Sequence, residues 1–304
     1  MRPQPEPEPA TTGCGLCGST SGRELYITRD RLGKSDARFS IVQCSGCGVL
    51  RTLPEMSETE LGRFYPDDYW GMPEPTEQWV YSSQYEKTQF VTRCGLSGGR
   101  VLDVGCGAGF FLRALGRSKW DRYGIETSAA ASRLAESHIG TGHVVTGTLI
   151  GSSWPDSRFD MVTFWSALEH TNEPRMNLQK ARRLLRKDGT LIVQLPNAAS
   201  YQARLFDGDW VALDAPRHRY HFTFPVLERL LSETGFEAYR TTCFSKAHNS
   251  HALRHSLKVK LGMIDSSALS HLRFYLSLAV VKPIDSAMTA IGRGATLTVA
   301  ARAV

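Results

Sequence analysis

No uninterrupted apolar run in this chain reaches the ~20 residues that cross a bilayer; the longest candidate, from Leu276 to Val281, stops at Lys282 and Pro283. A spanning helix is not expected. The amino end also lacks an apolar stretch: MRPQPEPEPATTG is rich in proline and acid, unlike a signal or transit peptide. Residues 1–12 read as a disordered leader, and the protein as cytoplasmic. Cysteine is sparse and odd in number, seven in 304 residues, with four of them in paired spacing. That usage fits metal ligation plus free thiols better than a disulfide framework. Charge of one sign is not in great excess either, 36 Lys+Arg against 30 Asp+Glu, but the surplus is concentrated: from His251 to Arg293 there are six basic and two acidic residues. This segment suits an anionic substrate, a membrane surface or nucleic acid, and a solvated helical face is the simplest reading. With 41% hydrophobic and 22% charged residues, the chain is globular and must fold around a core.

What is present begins with two knuckles, Cys14-Gly-Leu-Cys17-Gly18 and Cys44-Ser-Gly-Cys47-Gly48, separated by 26 residues. Two such pairs bring four thiolates to one tetrahedral Zn²⁺, and a glycine after each pair permits the tight turn. The intervening alternation in Glu24–Thr28 and Arg38–Val42 predicts the hairpin of a zinc ribbon over residues 13–50. Residues 51–98 show no strand pattern; they hold the aromatic cluster from Phe64 to Trp70, a packing linker or a lid, and a helix from Trp79 to Arg93.

From Gly99 onward strands and helices alternate. Arg100–Val104, Arg122–Glu126, Gly142–Thr146, Phe159–Trp165 and Gly189–Leu195 read as strands with helices between them, which predicts an α/β, doubly wound parallel sheet. The first strand runs into Gly105-Cys-Gly107-Ala-Gly109 and a helix, where free backbone N–H groups approach a ligand. A dinucleotide fingerprint wants its third glycine at position 110, which is Phe110, so nicotinamide binding is disfavoured. Glu126 ends the second strand about 20 residues after the loop, the place of a carboxylate that accepts ribose hydroxyls.

The stretches DVGCGAG at 103–109, GIE at 124–126, FDMVTFWSALEHTNEP at 159–174 and LLRKDGTLIVQLPN at 184–197 resemble class I S-adenosylmethionine-dependent methyltransferases. The resemblance is to the branch holding ubiquinone-type O-methyltransferases and sugar C-methyltransferases; the knuckles and the YPDDYW segment resemble the N-terminal half of some deoxysugar C-methyltransferases. It implies a Rossmann-like sheet of order 3-2-1-4-5-7-6 over residues 99–304, with substrate-side insertions near 198–223 and, largely helical, 247–292. Carried onto this sequence, it implies that Asp103, Gly105, Cys106, Gly107 and Gly109 hold the methionine part of the cofactor and Glu126 its ribose. Trp165 would line the sulfonium pocket, and Thr148 and Leu149 stand on the adenine side, where the family often has an acid.

On the substrate side, Trp210–Phe222 packs two histidines, two arginines and a tyrosine into thirteen residues, and Glu169-His170 follows the fourth strand. Histidine titrates near neutrality and suits proton removal, so His170, His218 and His221 are the candidate bases, with Tyr220 beside them. An acceptor whose proton is already labile would need orientation alone, with Tyr65, Tyr69 and Trp70 as further contacts. The acceptor is expected to be a small molecule, a sugar or natural-product intermediate. A zinc-containing RNA methyltransferase is the alternative, supported by the basic composition. Against it, Trp165-Ser-Ala-Leu stands where amino methylation would place an Asn- or Asp-Pro-Pro-aromatic motif, and Lys180–Lys187 reads as the outer face of a helix. Peripheral contact with a membrane is the further partner that the basic segment suggests.

Overall fold

A computed structural model describes residues 13–31, 36–65, 77–262 and 268–304. The expected leader and the aromatic positions from 66 to 70 lie outside the described residues. The alternating segments form the hairpin β1 (Gly22–Arg29) and β2 (Arg38–Cys44), and β3 (Leu50–Leu53) pairs antiparallel with β2. All four residues of β3 are buried, so it shows no alternation to read, which is why 51–98 gave no strand pattern. A capping box between Ser57 and Glu60 starts α1 (Glu58–Gly62), and α2 (Glu77–Arg93) follows.

The main sheet is built from β4 (Gly99–Val104), β5 (Trp120–Glu126), β6 (Val144–Thr146), β7 (Phe159–Trp165) and β8 (Leu185–Pro196), all parallel. Between them run α3 (Phe110–Leu115), α4 (Ala129–Ile139) and α5 (Pro174–Leu184). After α6 (Tyr201–Phe206) comes the two-residue strand β9 (Tyr220–His221), then α7 (Phe224–Glu233) and β10 (Phe236–Thr242). The helices α8 (Lys246–Lys260) and α9 (Ala268–Met288) precede β11 (Thr296–Ala303). The sheet order is β10-β11-β8-β7-β4-β5-β6, with β11 antiparallel to both neighbours. Counted within this domain and without β9, that is 3-2-1-4-5-7-6, the order the resemblance implies.

Strand β9 belongs to the other sheet. It pairs with β3, Leu50 opposite His221 and Arg51 opposite Tyr220, giving the order β1-β2-β3-β9. The sheet begun by the ribbon hairpin therefore continues past residue 50 into the 198–223 insertion. Arg217, fully buried, reinforces the seam: it donates to Asp30 at 2.8 Å, to Asp214 at 2.6 Å and to the Phe64 carbonyl at 2.9 Å. A guanidinium this deep is tolerated because its donors meet carboxylates and a carbonyl. The apolar core is likewise shared, with Leu16 and Val49 packing in one cluster with Leu178, Leu227 and Phe222.

The basic stretch 180–187 is only partly helical: on α5, Arg182 donates to the Val304 carbonyl and Lys180 to that of Ser152, whereas Arg186 and Lys187 are exposed at the start of β8, because the helix ends at Leu184. Helix α9 departs from expectation. With the turns that follow it, Leu272–Arg293 is long and apolar enough to cross a membrane by length and composition, at a mean hydropathy of 1.2. An uninterrupted run is the wrong criterion here, because Arg273, Lys282 and Asp285 interrupt the sequence yet are few enough for the average to stay high. One face of the helix is packed, with Phe274 and Asp285 buried and Asp285 accepting from the Gln202 amide at 3.0 Å.

Candidate active site

The glycine loop joins β4 to α3, with Gly105 and Gly109 at φ of +69° and +75°, left-handed conformations that a side chain disfavours. A Cβ on Gly105 would come within 2.8 Å of the Ala167 side chain, so the loop after β7 lies directly on the glycine loop. Gly105 and Cys106 donate their N–H groups to the Ile125 carbonyl, while Gly107 N–H reaches the Glu126 carboxylate at 3.0 Å. Glu126 also accepts from Ser128 N–H at 2.9 Å, so its buried carboxylate is fixed at the end of β5 by backbone donors.

Under the loop, Asp103 is buried, accepts from the Thr163 hydroxyl at 2.6 Å, and is pushed up to about 7 by burial against the opposing pull of Thr163 and Lys87. Trp165 is buried, its indole N–H meets no partner among the described residues, and its ring meets Phe111 edge-on with centroids 5.1 Å apart. The Lys87 ammonium stands 5.5 Å from the Trp165 ring centroid. Burial holds Lys87 below the usual lysine range, with Asp103 opposing. Lys87 is a residue that sequence reading missed, since α2 carries no motif and only its packing beside β4 brings a cation here. Leu149 is buried in the core, whereas Thr148 is exposed and its hydroxyl caps the Gly151 N–H at 3.3 Å.

The histidines lie past β7. His170 and His218 meet edge-on with ring centroids 4.5 Å apart, and His221 is 6.4 Å beyond His218. His170 Nδ1 donates to the Arg217 carbonyl at 3.1 Å and His218 Nδ1 to the Ala212 carbonyl at 2.9 Å. A carbonyl only accepts, so in both rings Nδ1 carries the proton and Nε2 presents a lone pair. Burial, followed by the neighbouring His218, drives His170 down to about 3, and burial lowers His218 against the attraction of Asp214. Both rings are therefore neutral acceptors at physiological pH. Glu169 is 1% exposed, and among the described residues neither carboxylate oxygen has a hydrogen-bond partner. Burial, with Asp214 adding to it, lifts Glu169 to about 8. Its carboxylate and a ring nitrogen from each of His170 and His218 lie within 4.8 Å of one another. The sequence places Glu169 beside His170 after the fourth strand but does not show that its carboxylate is buried against the histidines.

Two expected participants are placed differently. His221 shares its ring Nε2 with the Thr52 hydroxyl at 3.0 Å, and that hydroxyl donates to the His218 carbonyl at 2.6 Å. His221 is thus tied to β3, buried, and driven down to about 3 by its burial. Tyr220 points to the opposite face of β9, as neighbours on a strand must. Its hydroxyl donates to the Asn172 carbonyl at 3.2 Å and sits against Gly15 of the first knuckle. Its role is to dock the knuckle, and it is not brought to the histidines.

All four knuckle cysteines are free thiols. Cys14 and Cys47 sulfurs are 3.7 Å apart and those of Cys17 and Cys44 3.5 Å, near the roughly 3.8 Å that tetrahedral zinc with 2.3 Å bonds imposes. Gly18 and Gly48 close the knuckles at φ of +75° and +77°, donating to the Cys14 and Cys44 carbonyls. The donor set and its spacing fit Zn²⁺.

A family model described as a methyltransferase domain matches residues 79–241, more than half of the chain. The chain belongs to this family. Among related proteins, the ubiquinone biosynthesis O-methyltransferase of Glaesserella parasuis is 28% identical over 139 residues, covering 42% of this chain and 59% of that one. The match thus spans less than two thirds of that relative's length. The protein of the same description from Thiobacillus denitrificans is 30% identical over 162 residues, covering 50% and 70%. A solved S-adenosylmethionine-dependent methyltransferase from Archaeoglobus fulgidus shares the fold, with a TM-score of 0.50 at 17% identity over 81% of this chain and all of that one. At that identity the likeness shows a shared fold, one that supports S-adenosylmethionine as the cofactor.

Proposed function

We propose that the methyltransferase moves a methyl group from S-adenosylmethionine to an oxygen, or an activated carbon, of a small-molecule acceptor. The observation that carries the reading is the contact of the two loops: the Gly105 turn that suits the cofactor packs on Ala167, three residues before the histidine that suits a proton. The relatives' description as O-methyltransferases favours an oxygen acceptor on a hydroxylated small molecule. The cofactor supplies an electrophilic methyl on a sulfonium. Around it, the loop from Gly105 to Gly109 receives the methionyl part, Glu126 the ribose, and Lys87, a half-buried cation beside Trp165, the methionyl carboxylate. Catalysis is then mainly placement of acceptor oxygen and methyl in line. The acceptor hydroxyl gives its proton to Nε2 of His170, or to that of His218, which stands 3.9 Å from the Asp214 carboxylate; in both rings Nδ1–H is fixed by a backbone carbonyl.

In this reading Cys14, Cys17, Cys44 and Cys47 hold one structural Zn²⁺ that shapes the ribbon, and their free thiols suit the reducing cytoplasm. The test is transfer of radiolabelled methyl from S-adenosylmethionine to a panel of hydroxylated aromatics and nucleotide sugars, with total RNA as the contrasting acceptor. Label in a small acceptor supports the proposal, and label in RNA alone overturns it.

A further inference from the structure

Helix α8 contains no acidic residue, and its outer side carries His251, Arg254, His255 and Lys258, all exposed. The rings of His251 and His255 are 4.1 Å apart, and after burial it is the neighbouring His251, Lys258 and Arg254 that hold His255 below the usual range. Lys260, farther along α8, pairs with Asp209 at 3.4 Å. Beside α8 lies α9, whose outward residues Leu272, Leu276, Val280 and Ile284 recur every four positions with Tyr275 between them. They are 42–64% exposed, a stripe along a helix of about 32 Å. Lys258 bridges the two, its ammonium 5.7 Å from the Phe274 ring. Arg273 and Lys282 are exposed on the same helix, and its one acid, Asp285, is buried on the side opposite the stripe.

We propose that α8 and α9 together form a docking face for an anionic lipid bilayer, on which the enzyme lies without spanning it. A cationic helix beside an exposed aliphatic stripe is the arrangement of an interfacial element: the stripe enters the acyl boundary while the cations stay with the headgroups. Spanning is opposed by the anchored side of α9, where Phe274 and Asp285 belong to the protein core. A second copy is a poor occupant, since pairing this face with itself opposes like charges, and nucleic acid makes no use of leucine, valine and isoleucine at the surface. The inference is independent of the acceptor's identity.

The experiment is co-sedimentation of the full chain with phosphatidylcholine vesicles, with and without phosphatidylglycerol, alongside Leu276→Glu/Val280→Glu and Arg254→Gln/Lys258→Gln. Circular dichroism and S-adenosylhomocysteine binding report that each variant is folded. Binding to the anionic vesicles alone is expected, lost in the first variant and weakened about 25-fold in the second, roughly fivefold for each cation removed. The proposal is overturned by folded wild type that ignores anionic vesicles, by a Leu276→Glu/Val280→Glu variant that binds as well as wild type, or by a wild-type dimer that this variant dissociates while vesicle binding is absent. Tight binding to RNA without binding to vesicles would equally reject the bilayer.

Discussion

The carboxylate of Glu126 accepts the N–H of Gly107 at 3.0 Å, so the acid that ends β5 and the loop that follows β4 form one hydrogen-bonded unit. Glu126→Ala should therefore weaken S-adenosylmethionine by about 1–3 kcal/mol, through lost bonds to the ribose and a loosened loop. Calorimetry showing an unchanged Kd contradicts the assignment, and NADH should bind neither protein.

Lys87→Met tests the cation over Trp165. It should weaken S-adenosylhomocysteine by about 1.5–3 kcal/mol, the worth of a hydrogen bond to a charged group. Methylthioadenosine lacks the methionyl carboxylate and should bind wild type and variant alike. Equal losses for the two ligands would make Lys87 a packing residue instead.

The histidines should separate by their surroundings. Replacing the true base, His170 or His218, with Gln should lower kcat about 10²–10⁴-fold at nearly constant cofactor affinity. His221→Gln should instead lower Tm, because its ring is bonded to Thr52, and Thr52→Val should reproduce that loss. Near-normal kcat in all three Gln variants would leave orientation as the whole mechanism.

Glu169 gives a pH dependence of defined sign. Its folded value of about 8 lies above the unfolded 4.5, so the native state binds the extra proton. Stability from this group is then full below about 4.5 and falls as pH rises towards 8. Glu169→Gln cannot ionise, so its Tm relative to wild type should climb steadily between pH 5 and 8. A difference independent of pH would show that the carboxyl finds a partner.

Much of this was legible in the residues. Glycine turns, knuckles and strand-end acids announce themselves because backbone sterics and ligand chemistry demand those residue types at fixed spacing, and the strand order followed from the resemblance those motifs carried. Lys87 and the β3–β9 pairing were not legible, since nothing local distinguishes a half-buried lysine from an exposed one, or a two-residue strand from a loop. Tyr220 and His221 looked alike in sequence; the alternation of a strand sent them to opposite faces.

Metal removal should reach beyond the ribbon. Purified protein is expected to carry one zinc per chain, and Cys44→Ser or chelation should release it and unravel β1–β3. Because His221 pairs with Leu50, the loss should also broaden the His221 ring resonances while β4–β7 keep their amide protection. Metal analysis finding no zinc would remove the premise.

The seam at Arg217 sets a limit on engineering. A shortened chain starting at β4 would strip Asp30 from a guanidinium that is fully buried, and severing one partner of such a pair costs about 3–5 kcal/mol. It would also bare the edge of β9, inviting intermolecular strand addition. The catalytic sheet is thus a poor chassis for grafting by itself, and chimeras with other methyltransferases should exchange the ribbon and the 198–223 insertion as a matched set.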